Sequence, residues 1–332
     1  MSSHAAFPQA DLAPVISGQT SRLLIHHKTQ YDFSETVGLN AHGLLLRPRE
    51  SPSLRLMSFE VTISPKAQLI WSEDVHGNAV ATAIFSEPTR QLVVEAASRL
   101  DLKSEAWPVF RIDPSAMTYP FRYSDRDYTD LGPLMAQQYP DPNGQLRTWA
   151  HSFVQGHPTD TLSLLKDLSS GVCTAVAYEA RDSEGTQSPV ATLLRARGSC
   201  RDLAVLFAEA ARNLGFGARL VSGYLNTADG DIGSSGPCGT THAWADIYVP
   251  GAGWIAFDPT NRRMGGYNLI PVAIGRDIQA MVPVTGSFTA ADTTRHSLSV
   301  EVRVMDLNSA EANGINGGRR RGNHLPAGRG GR

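Results

Sequence analysis

The chain has 332 residues, a formal net charge of −2 and 41% hydrophobic residues, the composition of an ordinary globular protein. Its length allows two domains with complete cores, because single cores commonly stop growing at about 100 to 200 residues. The near-neutral charge argues against a general affinity for nucleic acid or anionic membranes, and the apolar runs are too short to span a bilayer.

The two ends of the chain have the composition of extensions. Residues 1–21 lack a basic segment followed by an apolar one, so no secretory signal is expected. Three cysteines, Cys173, Cys200 and Cys238, are too few for a disulfide framework, and both observations favour a cytoplasmic protein. Residues 308–332 are rich in glycine and arginine and are predicted to be disordered. This pattern is a weak sign of RNA contact, and a neutral or solubilising tail is favoured.

Residues 22–112 are predicted to form an antiparallel β domain. Short alternating apolar runs are separated by proline and Gly-Asn turns, the spacing of a sandwich or a curled sheet. His26, His27 and His76 fit no zinc-ligand spacing, so no metal site is expected here. A role in shielding the site or guiding substrate is a hypothesis from the position of this domain.

Residues 113–307 are predicted to form an α+β catalytic domain, in which a helical lobe and a cysteine-bearing helix precede an antiparallel sheet. The predicted helices before that cysteine cover residues 145–154, 159–168 and 172–181. The predicted strands after it cover residues 218–225, 241–249 and 254–258, and later runs at 280–283 and 298–305 are expected to extend the same sheet.

A cysteine lies at the start of the longest amphipathic segment. Ser199 and Asp202 have the spacing of a capping box, which makes Cys200 the first residue of a helix that ends before Gly215. Apolar residues recur at three- and four-residue steps, so one face is expected to be buried. The free amides and the positive end of such a helix favour a thiolate, which is the nucleophilic form. The alternative is a buried cysteine without chemistry.

A β-hairpin carries the residues that could assist this cysteine. His242 lies near its start and Asp258 at its end, and a three-residue turn puts both on one face. Simple pairing then sets Asp258 opposite Asp246, four positions from His242, or about 13 Å along the strand. Spacing alone leaves the partner of His242 open, and Asp246 is the competing carboxylate.

Several motifs together resemble the transglutaminase-like superfamily, and in particular bacterial proteins that carry a transglutaminase-like N-terminal region. In the catalytic part the resemblance covers residues 198–204, 218–225, 241–244, 250–254 and 258–261, which include Gly-Ser-Cys-Arg-Asp, Thr-His-Ala-Trp and Asp-Pro-Thr-Asn. In the N-terminal part it covers residues 25–31, 46–49 and 74–78. The resemblance implies a papain-like fold with a catalytic triad of Cys200, His242 and Asp258.

The resemblance also implies acyl transfer through a thioester on Cys200, with a peptide or protein as substrate. No cofactor or metal is expected, because the sequence has no loop with the regular carboxylate spacing of a calcium site. Release by water makes the enzyme a cysteine peptidase or amidase, the favoured prediction. Release by an amine makes it a protein-glutamine transglutaminase, and an inactive substrate-binding scaffold is a further alternative. The backbone amide of Cys200 is expected to hold the oxyanion. Gln187 is a second candidate donor because it precedes the helix, as a glutamine does in papain-like enzymes.

The glycine-rich loop over residues 226–240 precedes His242 in the sequence. Mobile loops beside active sites often control access of the substrate. Gly236, Gly239 and Trp244 are therefore the candidates for contact with the substrate, and a tolerated surface insertion is the alternative.

Overall fold

The computed structural model describes residues 19–104, 109–156, 158–180, 185–226 and 240–308. Strands β1 to β6 cover Gln19–Leu39, His42–Leu44, Leu54–Ser64, Ala67–Glu73, Ala79–Phe85 and Thr89–Ser104. Strands β7 to β11 cover Thr118–Tyr119, Thr159–Asp160, Ala177–Tyr178, Arg197–Gly198 and Ala218–Leu225. Strands β12 to β18 cover Thr240–Val249, Gly253–Asp258, Arg263–Met264, Leu269–Gly275, Val284–Thr285, Phe288–Thr289 and His296–Asp306.

Helices α1 to α5 cover Asp125–Leu131, Gln145–His151, Thr161–Ala175, Pro189–Arg195 and Cys200–Asn213. Short 3-10 helices cover Pro114–Ala116, Gly132–Met135 and Ile278–Met281. No helix within the described ranges is long and apolar enough to cross a membrane. The prediction for the tail and most of that for the N-terminal extension concern residues that lie outside the described ranges.

The N-terminal β region consists of two antiparallel sheets, as predicted. One has the order β17-β1-β6-β3 with β18 also paired to β1, and the other has the order β16-β2-β5-β4. Alternate residues of β1, from Leu23 through Ile25 to His27, are buried while their neighbours are more exposed. The apolar cluster between the sheets takes residues from both, including Phe33 of β1 and Ala83 of β5.

The last strand of the chain belongs to this N-terminal region. Strand β18 pairs antiparallel with β1 from Leu23 opposite Asp306 to Phe33 opposite His296. The prediction that residues 298–305 extend the catalytic sheet was therefore wrong. Alternation identifies a strand with one exposed face, but it does not say which sheet edge the strand joins.

A second strand prediction was also wrong. Residues 280–283 lie in and after the 3-10 helix that Asp277 begins, where its carboxylate accepts a hydrogen bond of 2.9 Å from the backbone N–H of Gln279. The sheet is extended instead by β15, whose continuous apolar run is buried on both faces. Such a run lacks the alternation on which the prediction depended.

The catalytic sheet has the order β14-β13-β12-β11-β15 and is antiparallel throughout. Helix α5 packs on β11 and β12, and α2, α3 and α4 pack around α5. The apolar face is buried, as predicted, and the rest of the helix from Asp202 to Arg212 is buried as well. Its charged residues Glu209 and Arg212 are buried as an ion pair, which removes the unpaired charge that would otherwise exclude them from a core.

The two predicted helices at 159–168 and 172–181 are one helix, α3, followed by strand β9. Asp160 is its N-cap, and its carboxylate accepts a hydrogen bond of 2.8 Å from the backbone N–H of Ser163. Helix α4, just before the cysteine helix, was not predicted. It has only seven residues, which is too short for a clear apolar period.

A buried histidine lies where the N-terminal sheet packs against the catalytic sheet. The side chain of His27 makes hydrogen bonds of 2.9 Å from Nδ1 to the Tyr224 hydroxyl and 3.0 Å from Nε2 to the Thr29 hydroxyl. Burial, helped by the charge of His26, lowers the pKa of His27 from 6.5 to about 4. The neutral imidazole is therefore the form that suits the folded protein.

We expect the folded state to lose stability as the pH falls from about 6.5 to about 4, the range between the ordinary pKa of His27 and its pKa in the folded protein. The unfolded chain binds a proton at His27 below a pH of about 6.5, whereas the folded protein does so only near a pH of about 4. The loss across this range is on the order of 3 kcal/mol in the free energy of unfolding. Urea unfolding between pH 7.5 and 4 measures it, and His27→Gln is expected to show a shallower decline than the wild type. His151→Gln, which removes an exposed histidine at the end of α2, is the control, and an equal decline in all three proteins would contradict the assignment.

Candidate active site

The start of α5 is fixed by a buried carboxylate. Asp202 accepts hydrogen bonds of 2.8 Å from the backbone N–H and 2.9 Å from the hydroxyl of Ser199, and one of 2.7 Å from the backbone N–H of Gln187. Ser199 is the N-cap and Cys200 is the first helical residue. The predicted helix start is thereby confirmed, with Cys200 half-buried at its positive end.

His242 and Asp258 lie in direct contact. The distance between His242 Nε2 and Asp258 Oδ2 is 2.8 Å, and both side chains are buried. Oδ1 of Asp258 accepts a hydrogen bond of 3.0 Å from the backbone N–H of Thr260, and Oδ2 accepts one of 2.8 Å from the side-chain amide of Asn261. Because Nε2 is engaged by Asp258, Nδ1 is the ring nitrogen left to interact with the Cys200 thiol.

The register of the hairpin explains this contact. The hairpin pairs Val249 with Gly253, and this register sets Asp258 opposite Trp244. That position is two residues from His242, or about 7 Å along the strand, whereas the predicted register gave four residues. The predicted pairing was wrong because the turn begins one residue earlier than expected. Side chains on the same face then close the remaining distance.

The end of the pairing between β12 and β13 makes room for the nucleophile. Their paired segment ends where Ala245 lies opposite Phe257. The backbone N–H of Ala243 lies beyond that segment and acts to lower the pKa of Cys200. The edge of β12 that β13 leaves unpaired thus becomes part of the site around Cys200.

The electrostatic surroundings of Cys200 and His242 favour a thiolate on Cys200 and an imidazolium on His242. Burial acts to raise the pKa of Cys200, but the hydrogen bond and charge of His242 and the N–H of Ala243 outweigh it, so the pKa lies below its ordinary value. Burial acts to lower the pKa of His242, but Asp258 outweighs it and raises the pKa to about 10. Both shifts follow from the interactions among Cys200, His242 and Asp258, and a depressed thiol pKa is what a nucleophilic cysteine needs.

The competing carboxylate, Asp246, has other partners. It accepts hydrogen bonds of 3.0 Å from Nε of Arg219 and 3.2 Å from Nε1 of Trp244. Trp244 is 2% exposed and stacks on the His242 ring at a centroid distance of 6.2 Å. Asp246 therefore anchors the ring that lies against the imidazole, and Asp258 alone is hydrogen-bonded to the imidazole itself.

Two other candidates from the sequence are not placed to contact substrate. Trp244 is enclosed in the core, so it offers no surface to a substrate. The side-chain amide of Gln187 donates to the carbonyl of Arg197 at 2.9 Å and to Asp202 at 3.3 Å. Its donors stabilise the start of α5, and the structure gives no support to its role as an oxyanion donor. The predictions for Gly236 and Gly239 concern residues outside the described ranges.

Tyr178 is a residue of the site that the sequence did not reveal. Burial raises its pKa, and the charge of Cys200 raises it further, so the two side chains interact electrostatically. The surrounding segment was predicted as helix, but it forms β9, which pairs in parallel with β10 just before the cysteine. A two-residue strand leaves no periodic signal. Among the described residues, no three His, Cys, Asp or Glu side chains cluster as a metal site would require.

Comparisons with known proteins agree with this geometry. The family model described as "Bacterial transglutaminase-like N-terminal region" matches residues 23–101, and that described as "Transglutaminase-like superfamily" matches residues 147–259. An uncharacterized protein of Mycobacterium tuberculosis is 28% identical over 310 residues, which cover 88% of this chain and 96% of that protein. An uncharacterized protein of Mycobacterium leprae is 22% identical, over 85% of this chain and 98% of that protein.

A solved structure shares the fold. The crystal structure of a "putative cysteine protease" from Cytophaga hutchinsonii superposes with a TM-score of 0.68 and 18% identity, and covers 87% of this chain and 91% of that one. Together with the two family models, this likeness establishes the papain-like α+β architecture. Residues 23–101 thus match the bacterial transglutaminase-like N-terminal region, and residues 147–259 behind it match the transglutaminase-like superfamily.

Proposed function

We propose that this protein is a cysteine peptidase or amidase that works through a thioester on Cys200. The observation that carries the proposal is the buried pair of His242 and Asp258, with 2.8 Å between Nε2 and Oδ2, beside a cysteine whose pKa His242 lowers. The composition and the electrostatics of these three residues are those of a nucleophile, a base and an orienting carboxylate.

The first half of the proposed reaction forms the thioester. The Cys200 thiolate attacks the carbonyl carbon of a carboxamide or peptide bond, and the carbonyl oxygen becomes an oxyanion. We propose that the backbone N–H of Cys200 stabilises this charge, because the first amides of a helix have no partner inside the helix. The imidazolium of His242 gives its proton to the nitrogen of the leaving amine, and the C–N bond breaks.

The second half releases the acid. Neutral His242 takes a proton from water, the resulting hydroxide attacks the thioester carbon, and the C–S bond breaks. The carboxylic acid departs and the thiolate–imidazolium pair is restored. Asp258 keeps the imidazole in the orientation that both halves require, and Asn261 and Thr260 hold Asp258 in place.

The positions of the tryptophans support water over an amine as the acceptor. Transfer to an amine needs a dry channel, which aromatic side chains commonly form. Trp244 is buried against His242, and Trp254 lies beneath the Arg219 guanidinium at 4.3 Å. Neither ring is therefore available to line a channel to the thioester. The superfamily name favours transfer as the second candidate.

We expect hydrolysis to exceed transfer when both are possible. The test mixes the protein with a library of glutamine-containing peptides and an excess of a primary amine, then identifies products by mass. Free acids and cleaved peptides should dominate, and they should be absent with Cys200→Ala. A majority of amine adducts would identify a transglutaminase, and products of neither kind would favour a binding scaffold.

A further inference from the structure

A groove of about 630 Å³ separates the N-terminal β region from the start of α5. We propose that this groove binds a substrate peptide in which a side-chain carboxylate lies beside an apolar side chain. The inference rests on the proposed function, since it names the substrate class of the same active site.

One wall of the groove is apolar and already packed. The rings of Phe33 and Phe288 meet edge to face at 4.9 Å, and Phe288 meets His296 at 5.5 Å. Leu298 of β18 continues this wall and is 45% exposed. Aromatic side chains that are fixed by their neighbours offer a rigid surface, and a rigid surface loses little conformational entropy when a ligand binds. An apolar side chain of a peptide suits this wall.

The charge of the groove comes from α5. The side chain of Arg201 lines the groove, and its positive charge also contributes to the lowered pKa of the neighbouring Cys200. Within the described part of the chain, Arg201 makes no ion pair or side-chain hydrogen bond, and the groove lining contains no aspartate or glutamate. A guanidinium without a carboxylate among the described residues that line its groove is complementary to an anion brought by the ligand.

The position of Arg201 connects the groove to the chemistry. It is the residue after the nucleophile, and Gly185 and Thr186 line the groove just before Gln187, which is hydrogen-bonded to the start of α5. A peptide that pairs its carboxylate with Arg201 is therefore held beside the cysteine. The N-terminal region then has a function of its own, because β1 and β18 supply the apolar wall.

Binding to the Cys200→Ala protein tests the groove without any reaction. The probes are fluorescein-labelled, C-terminally amidated heptapeptides with a central glutamine and with one phenylalanine and one glutamate on the same side of it. One version has the pair before the glutamine and the other after it, and each has a twin with glutamine in place of glutamate. Fluorescence anisotropy at low salt should show that one glutamate peptide binds about tenfold more tightly than its twin.

Two changes of side-chain charge test the role of Arg201. In the Cys200→Ala background, Arg201→Gln should abolish the preference for glutamate, and Gln279→Glu, which adds a carboxylate at an exposed position of the lining, should also abolish it. Arg147→Gln removes an exposed arginine of α2 that does not line the groove, and it should keep the preference. Melting curves of the variants confirm that each one folds.

Three results would each overturn the proposal. In the first, both peptides of each pair bind equally well; in the second, no peptide binds; in the third, the preference for glutamate remains in Arg201→Gln. Failure of the proposed function is a separate result. If the preference is present but the wild-type protein hydrolyses none of these peptides, the proposed binding groove is supported and the proposed hydrolase activity is contradicted. If Cys200-dependent hydrolysis occurs without the preference for glutamate, the proposed hydrolase activity is supported and the proposed binding groove is contradicted.

Discussion

Replacement of Cys200 by alanine should lower turnover by at least about a thousandfold, because no other group supplies the nucleophile. The measurement is the initial rate of peptide or amide hydrolysis at a fixed protein concentration, with circular dichroism to show that the fold is kept. Replacement of His242 by alanine should cost a similar factor, since the thiol then lacks the base that draws its proton.

Cys173→Ala is the matched control for the loss of a thiol. Cys173 is half-buried in α3, and its sulfur contacts the Thr260 carbonyl at 3.8 Å. It has no hydrogen bond to His242 among the contacts of the described residues, so its loss should leave turnover close to that of the wild type. Turnover that survives Cys200→Ala and disappears with Cys173→Ala would show that the wrong cysteine has been assigned.

Asp258→Asn should lower the turnover number about a hundredfold or more and should also narrow the range of pH in which the enzyme works. In the wild type the thiolate–imidazolium pair exists above the lowered pKa of Cys200 and below the pKa of about 10 of His242. Without the carboxylate, the pKa of His242 falls toward its ordinary value. The alkaline limb of the profile of kcat/KM against pH should therefore move to lower pH.

Asp246→Asn separates the roles of the two carboxylates. Asp246 is bonded to Arg219 and Trp244, so its loss should lower the melting temperature and leave the alkaline limb close to that of the wild type. The opposite pattern, in which Asp246→Asn moves the limb and Asp258→Asn does not, would assign the orienting role to Asp246.

Local rules were enough to predict the elements that carry the chemistry. The capping pair at Ser199 and Asp202 located the start of α5, and the aromatic and β-branched runs located β12 and β13. In both cases the signal lies within a few neighbouring residues. The resemblance to the superfamily then supplied the pairing of His242 with Asp258, which the predicted spacing alone did not.

The sequence analysis did not predict the exact strand register or the contacts between residues far apart in the chain. A shift of one residue in the turn of the hairpin changed which residue faces Asp258, and turn position depends on glycine conformations that several sequences share. The pairing of β18 with β1 joins residues more than 260 positions apart. The placement of Tyr178 near the start of α5 depends on a two-residue strand that pairs with the strand before the cysteine, and so short a strand has no pattern of its own.

The central claim is that Cys200 is a thiolate paired with His242, and its reactivity tests that claim without knowledge of the substrate. Iodoacetamide alkylation is followed against pH, and the modified peptide is quantified by mass spectrometry. We predict that the midpoint for Cys200 lies well below the ordinary thiol pKa of about 8.5 and rises toward it in His242→Ala. A midpoint at or above about 8.5 in the wild type, or one that His242→Ala does not change, would contradict the account.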